Sequence, residues 1–190
     1  QQIEKHFHLP KYSWKTLLDD FATHFPDTCV PFPKMHQTLA YLTNRGLSLG
    51  LVTNGSRAFQ NPKIDGLGIR SYFETILISE VEGVKKPNAE IFQRALQRLK
   101  IEAAEAIFVG DNPDADIAGA QAVGMRSIWM QNSYWTKPIH VDGSLTQLDE
   151  LSDILDAMDQ TISQQSHACN QIHLQEVTSC YHYRIPFPLV

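Results

Sequence analysis

One stretch, Ile107-Phe108-Val109-Gly110-Asp111-Asn112-Pro113-Asp114-Ala115-Asp116-Ile117-Ala118-Gly119-Ala120, constrains the fold more than any other part of this chain. Its opening run is apolar throughout, the pattern of a parallel strand covered on both faces rather than of a half-solvated one. Gly110 interrupts the run, Pro113 suits the first turn of a helix, and Gly124 suits its end. Asp111 therefore falls where a strand hands over to a helix, and ligands bind at the carboxyl ends of strands in open α/β sheets. Asp116 follows about one turn into the helix and can face the same crevice. Two carboxylates in that place suit a hard cation such as Mg²⁺, which prefers oxygen ligands and keeps several waters. Acids in a first turn also favour the helix dipole with no ligand involved. On this stretch alone both readings stand.

Strands and helices alternate around it. Residues 13 to 25 read as an amphipathic helix, with Ser13 as N-cap and Trp14, Leu17, Leu18, Phe21 and Phe25 on one stripe. Pro26 ends it. The connector Asp27 to Pro33 holds Pro31 and Pro33, and reads as a stiff joint or an ordinary loop. Met35, Leu39 and Leu42 share a helix face that Gly46 closes, and Leu47 to Val52 is an apolar strand ending in Thr53-Asn54-Gly55-Ser56. Residues 57 to 68 look helical, with an interruption expected at Pro62. Phe73 to Ile78 is the next strand. Asn88 caps a helix with Ile91, Phe92, Ala95, Leu96 and Leu99 inward. After strand 106–109 and helix 113–123, Arg126 to Met130 is a further strand, and Leu148, Leu151, Ile154 and Leu155 make a last helix face. This alternation implies right-handed crossovers and a parallel sheet.

Composition sets the outer limits. At 190 residues the chain makes one domain, or one with a small appendage. A net charge of −5 and the absence of a Lys/Arg cluster argue against nucleic acid as a partner. No apolar run reaches the length of a membrane span and no secretory signal opens the chain. Cys29, Cys169 and Cys180 are too few and too scattered for a disulfide framework. A cytoplasmic protein is expected. The chain opens on Gln1 rather than Met, so a preceding segment is expected to be missing. From about residue 160 the character changes: residues 161–190 hold Glu176 and Arg184 but no Lys or Asp, and no sustained period. A poorly ordered tail is expected there. Its Cys169, His173, Cys180 and His182 match no compact zinc module.

Three strand ends carry the chemistry. Thr53 and Asn54 end the first, Ser79 leads from the second to Val84-Lys85-Lys86-Pro87, and Asp111 and Asp116 follow the third. A hydroxyl, an ammonium and a carboxylate pair on one sheet edge are what binding a phosphate with a divalent cation requires. Lys85 reads as a solvated neighbour, and Trp129, Tyr134 and Trp135 as core or loop packing.

Leu51-Val52-Thr53-Asn54-Gly55, Gly83-Val84-Lys85-Lys86-Pro87-Asn88-Ala89-Glu90-Ile91-Phe92 and Val109-Gly110-Asp111-Asn112-Pro113-Asp114-Ala115-Asp116-Ile117 resemble motifs II, III and IV of the haloacid dehalogenase superfamily, in order. The resemblance covers residues 34 to about 158. It implies an α/β fold, a Rossmann-like parallel sheet with flanking helices. It implies catalytic roles for Thr53, Lys86, Asp111 and Asp116, substrate contacts from Thr53, Asn54, Gly55 and Lys86, and Mg²⁺ held by Asp111 and Asp116. It further implies residues 1–30 as the remnant of a helical cap and 31–160 as the core, with 161–190 outside it. The family's nucleophile is the first Asp of an Asp-x-Asp-Gly-Thr segment on a central first strand, and nothing ahead of Thr53 resembles it. His140-Val141-Asp142-Gly143-Ser144-Leu145 has a similar ending but a His in the nucleophile's place.

The implied activity is that of a Mg²⁺-dependent phosphatase acting on a small phosphorylated metabolite through an aspartyl-phosphate. The nucleophile is expected in the missing segment, so that the chain as it stands is inactive and has open strand edges. The alternatives are a non-catalytic remnant, or a phosphate- or partner-binding module, and a haloacid dehalogenase. Gly110-Asp111, at the metal position, argues against the last.

Overall fold

The expected strands are apolar at successive positions because neither of their faces meets water. β1, Ser48–Thr53, is buried at every residue, as is β3, Ile107–Gly110. Alternate side chains leave for opposite faces. Leu49 and Leu51 join Ile107 and Val109 in one cluster, whereas Val52 and Phe108 join the other. The sheet therefore has a hydrophobic layer on each side.

The protein is described here by a computed structural model, which describes residues 14–24, 29–136, 138, 140–158 and 184–187. After α1 (Trp14–His24) come α2 (Met35–Asn44), β1, α3 (Arg57–Gly66), β2 (Thr75–Ile78), the short α4 (Ser79–Glu82) and α5 (Ala89–Leu99). Then follow β3, a π-helical turn (Pro113–Ala118) running into α6 (Gly119–Gln121), β4 (Arg126–Met130), β5 (Gly143–Leu145), α7 (residues 150–158) and β6 (Arg184–Phe187). All strand pairs are parallel, in the orders β2-β1-β6 and β3-β4-β5. This is the expected α/β fold, a Rossmann-like parallel sheet between helices.

One layer is built by Met35, Leu39 and Leu42 of α2, Ile64 of α3, and Leu151 and Leu155 of α7. The other is built by α5, whose buried set is Ile91, Phe92, Ala95, Leu96 and Leu99, as its stripe predicts. Asn88 caps this helix by accepting the Glu90 N–H at 2.9 Å. Phe92 meets Phe108 edge to face with centroids 5.0 Å apart, adding about 1 kcal/mol to the burial of both rings.

The structure departs from expectation in three places. α3 runs through Pro62 without a break. Pro62 leaves the Ala58 carbonyl without its helical donor, and burial of Ile64 and Leu67 offsets that loss. β2 starts at Thr75 rather than Phe73, because Arg70–Tyr72 form a 3₁₀ turn that delivers the Glu74 N–H to the Leu49 carbonyl at 2.9 Å. Most of 161–190 lies outside the described residues, but Arg184–Phe187 pairs with β1 from Ser48↔Arg184 to Leu51↔Phe187 and lies alongside β3. The unpaired amides and carbonyls of β1's edge supply the reason. Ser13, Phe25 and Pro26 lie outside the described residues.

Candidate active site

β1 ends at Thr53, 4% exposed, at the carboxyl edge of the sheet. The next residue is a clamp. The Asn54 side chain donates from Nδ2 to the Lys86 carbonyl at 3.0 Å and accepts the Lys86 N–H on Oδ1 at 2.9 Å. Both ends of its amide thus engage the Lys86 backbone. Asn54 holds Lys86 in place, and it also lines the cavity in which a side-chain contact to substrate is expected. Gly55 turns the chain with φ +144°, and a Cβ there would stand 2.6 Å from Gln60 Nε2. Its N–H is also engaged, donating to Ser79 Oγ at 2.9 Å. Glu80 then accepts the Arg57 N–H at 2.7 Å, an acid at the amino end of α3.

Lys86 is 7% exposed, and its ammonium lies 2.7 Å from Asp116 Oδ1 and 5.6 Å above the centre of the Phe108 ring. Asp116 is 1% exposed, and its Oδ2 accepts the Asn112 N–H at 3.1 Å. It reaches this place because β3 ends in glycine: a Cβ on Gly110 would stand 2.6 Å from Asp116 Oδ2. Asn112 starts the π-helical turn by accepting the Asp114 and Ala115 N–H groups, at 3.0 and 2.9 Å. Its carbonyl accepts from both Asp116 and Ile117, and the second bond is the wider π-type closure.

Asp111 sits half-buried at the head of this loop. Trp129 Nε1 donates to its carbonyl at 2.9 Å, and Asn132 Nδ2 donates to its Oδ2 at 2.8 Å. Burial, and then the charge of Asp116, push the Asp111 carboxyl above the ordinary carboxylate range. Thr53, Asn54, Gln60, Lys63, Lys86, Asp111, Asn112, Ala115, Asp116 and Trp135 line one cavity of about 340 Å³. That volume falls within the span of small-molecule sites, roughly 300–1,000 Å³.

The residues fit a divalent cation. Asp116 Oδ1 is buried and has the ion pair with Lys86 but no aligned hydrogen bond, and Asp111 is held in a setting that disfavours its charge. A cation between the two would relieve both. Among the described residues no group of three or more His, Cys, Asp or Glu gathers. A cation held by two carboxylates would complete its coordination with waters and substrate oxygens, an arrangement that suits Mg²⁺.

Several lining residues were not singled out from the sequence. Asn132, which is not in the lining but donates to Asp111 Oδ2, had one available signal, since it stands just past the carboxyl end of β4. Gln60 and Lys63 had only their place on the helix after Thr53. Of the three aromatic residues expected to pack, Trp129 is buried, but Tyr134 is 87% exposed and Trp135 is 43% exposed at the cavity. Asp142, in the segment with the similar ending, accepts the Ser127 N–H at 2.7 Å, and Gly143–Leu145 form the outermost strand beside β4.

A family model described as haloacid dehalogenase-like hydrolase matches residues 1–130. The chain belongs to this family. Among its curated relatives is a glyceraldehyde 3-phosphate phosphatase of Pyrococcus furiosus, 35% identical over 129 residues, which are 65% of this chain and 54% of that one. The chain thus spans about half the length of such a relative. A phosphatase of this family from Thermococcus onnurineus aligns with a TM-score of 0.66 and 30% identity, over 80% of this chain and 68% of its own. A 2-haloacid dehalogenase from Pseudomonas syringae aligns with a TM-score of 0.63 and 33% identity, over 78% and 65%. Fold likeness alone is therefore shared by both chemistries of this hydrolase family, and the site must discriminate between them.

Proposed function

We propose that the protein is a Mg²⁺-dependent phosphatase acting on a small phosphorylated metabolite through an aspartyl-phosphate. The observation that carries the reading is the gathering of Thr53, Lys86, Asp111 and Asp116 around one cavity at the carboxyl edge of a parallel sheet. Asp111 is what favours a phosphatase over a dehalogenase, which attacks carbon and needs no metal. The Thr53 hydroxyl donates to a phosphoryl oxygen, and the Lys86 ammonium stands as a point charge beside it. Asn54 and Asp116 keep that ammonium aimed by fixing its peptide and its head. Mg²⁺, when bound by Asp111 and Asp116, offsets the negative charge of the phosphoryl group.

In the proposed reaction an aspartate oxygen attacks phosphorus, and the bond to the ester oxygen breaks. A second acid protonates that oxygen, and water then cleaves the acyl phosphate, restoring the carboxylate and releasing phosphate. The 190 residues contain no Asp-x-Asp-Gly-Thr segment, so both groups are assigned to sequence outside them. By themselves these residues are expected to bind phosphate without turning it over. Loss of an essential nucleophile costs several orders of magnitude in rate in other hydrolases.

Calorimetric titration tests the site. Inorganic phosphate should bind in the presence of Mg²⁺, weaken when Mg²⁺ is removed, and be lost in Lys86→Met. Phosphate binding that is indifferent to Mg²⁺ and to Lys86 would overturn the assignment.

A further inference from the structure

Two lysines line the cavity, and they differ in what they face. Lys86 already meets Asp116. The Lys63 side chain, on α3, makes no hydrogen bond or ion pair among the described residues, and the Asp111 carboxylate acts on it from beyond ion-pair distance. Burial holds its ammonium below the usual lysine range, and a half-buried cation without a close partner is a cost that a bound anion would relieve. Gln60 stands one helical turn before it, on the same side of α3, with Nε2 donating to the Asn54 carbonyl at 3.2 Å. Trp135 supplies a partly exposed aromatic wall to the same cavity. The lining thus has an inner group, Thr53, Lys86 and Asp116, and an outer group, Lys63, Gln60 and Trp135.

We propose that Lys63 and Gln60 form an outer anion subsite, which takes a second negatively charged group, a carboxylate or another phosphate, carried by the leaving part of the substrate. The preferred substrates are then phosphorylated acids or bisphosphates rather than esters of neutral alcohols. This rests on the phosphatase reading of the cavity. A neutral leaving group would leave Lys63 without its counter-charge in a space too dry to solvate it fully.

The test uses the 190-residue chain and probes that cannot be hydrolysed, at fixed free Mg²⁺. Ethylphosphonate presents one anionic group, 3-phosphonopropionate adds a carboxylate, and methylenediphosphonate adds a second phosphorus acid. Calorimetry should find at least one two-anion probe bound about tenfold more tightly than ethylphosphonate, the effect of one charge-assisted hydrogen bond. Whichever is preferred identifies the second group. Lys63→Gln should erase the preference and leave ethylphosphonate affinity within about twofold, while Lys63→Arg retains it, which separates lost charge from a misfolded variant. Equal affinity for all three probes in the parent chain would overturn the subsite alone. So would a Lys63→Gln variant that loses ethylphosphonate as severely as the others, which would place Lys63 as a support for Asp111. Failure of every probe to bind the parent chain would overturn the phosphatase reading and the subsite with it.

Discussion

Gly110 and Asp116 compete for one small volume, and the site exists because Gly110 gives it up. With the Asp116 carboxylate packed 2.6 Å from where a Cβ would stand, any other residue at the end of β3 would push it away from Lys86. Asp111 is placed at the opposite extreme, in a half-buried position that favours its neutral form. The sign of its contribution follows from that. A carboxyl whose folded pKa is raised stabilises the fold fully below its unfolded pKa and loses that contribution as pH rises through the folded one. At pH 7, without metal, Asp111 is therefore a burden. Asp111→Asn, which can keep the hydrogen bond from Asn132, should raise the midpoint of thermal unfolding at pH 7 in the absence of Mg²⁺. The gain should shrink as pH falls through the raised folded pKa and be gone below about 4. Added Mg²⁺ should raise the midpoint of the parent and not of the variant. Scanning calorimetry across pH would contradict this if the metal-free variant melted lower than the parent at pH 7. At this scale the sequence was legible in placing Thr53, Lys86, Asp111 and Asp116 around one cavity, at strand ends or in the loop and turn that follow them. The clamp made by Asn54 was not legible, since its type suits a turn or a substrate contact as well, nor was the place of Trp135, since an aromatic side chain signals apolar area without saying which surface it covers.

Among the elements, α4 and α5 anchor the two ends of the loop that bears Lys86. The loop bearing Lys86 leaves α4 at Glu82 and re-enters helix at Ala89. Across its ends, the nearly buried Glu82 side chain accepts from Arg98 at 2.8 and 2.9 Å and from Arg94 at 3.0 Å. Burial pushes the Glu82 carboxyl up, but the hydrogen bonds from Arg98 and Arg94 prevail and hold it below the ordinary range. A depressed carboxyl contributes stability above its unfolded pKa and loses it as pH falls through the folded one. Glu82→Gln should thus lower the unfolding midpoint at pH 7, with the difference from the parent closing in acid, and should weaken phosphate binding through the slackened loop. Equal midpoints at pH 7 would show that the clamp adds nothing measurable. α5 itself was fully legible, because a single apolar stripe and an Asn cap both specify it. α3 was less so, since Pro62 marks a lost hydrogen bond while the burial that offsets it depends on distant partners. The π-helical turn had no sequence signal separate from that of an ordinary first turn after Asn112.

For the whole molecule, the order β2-β1-β6 beside β3-β4-β5 puts the last described strand between the two that carry Thr53 and Asp111. This is where, by family resemblance, the first strand belongs. The alternation of strands and helices in 34–158 made the sheet legible from sequence. Nothing local marked Arg184–Phe187 for it: the segment has no period of two, and its pairing with β1 is set by an open edge far away in the chain. Pro186, opposite Gly50, has no N–H to give, and proline is confined to edges and bulges where sheets are continuous. β6 accordingly ladders with β1 but with no second strand among the described residues. Because β6 ladders with β1, deletion of 184–190 should expose that edge. The truncated chain should melt lower and should elute as concentration-dependent oligomers in light-scattering chromatography, because an uncovered edge recruits another chain. Pro186→Val should act in the opposite direction. One restored donor is worth about 1 kcal/mol, or roughly 2–4 °C in a chain of this length. A truncation that changes neither midpoint nor association would mean that β6 does not hold the slot. A Pro186→Val variant that melts no higher than the parent would mean that the amide at that position faces neither neighbour.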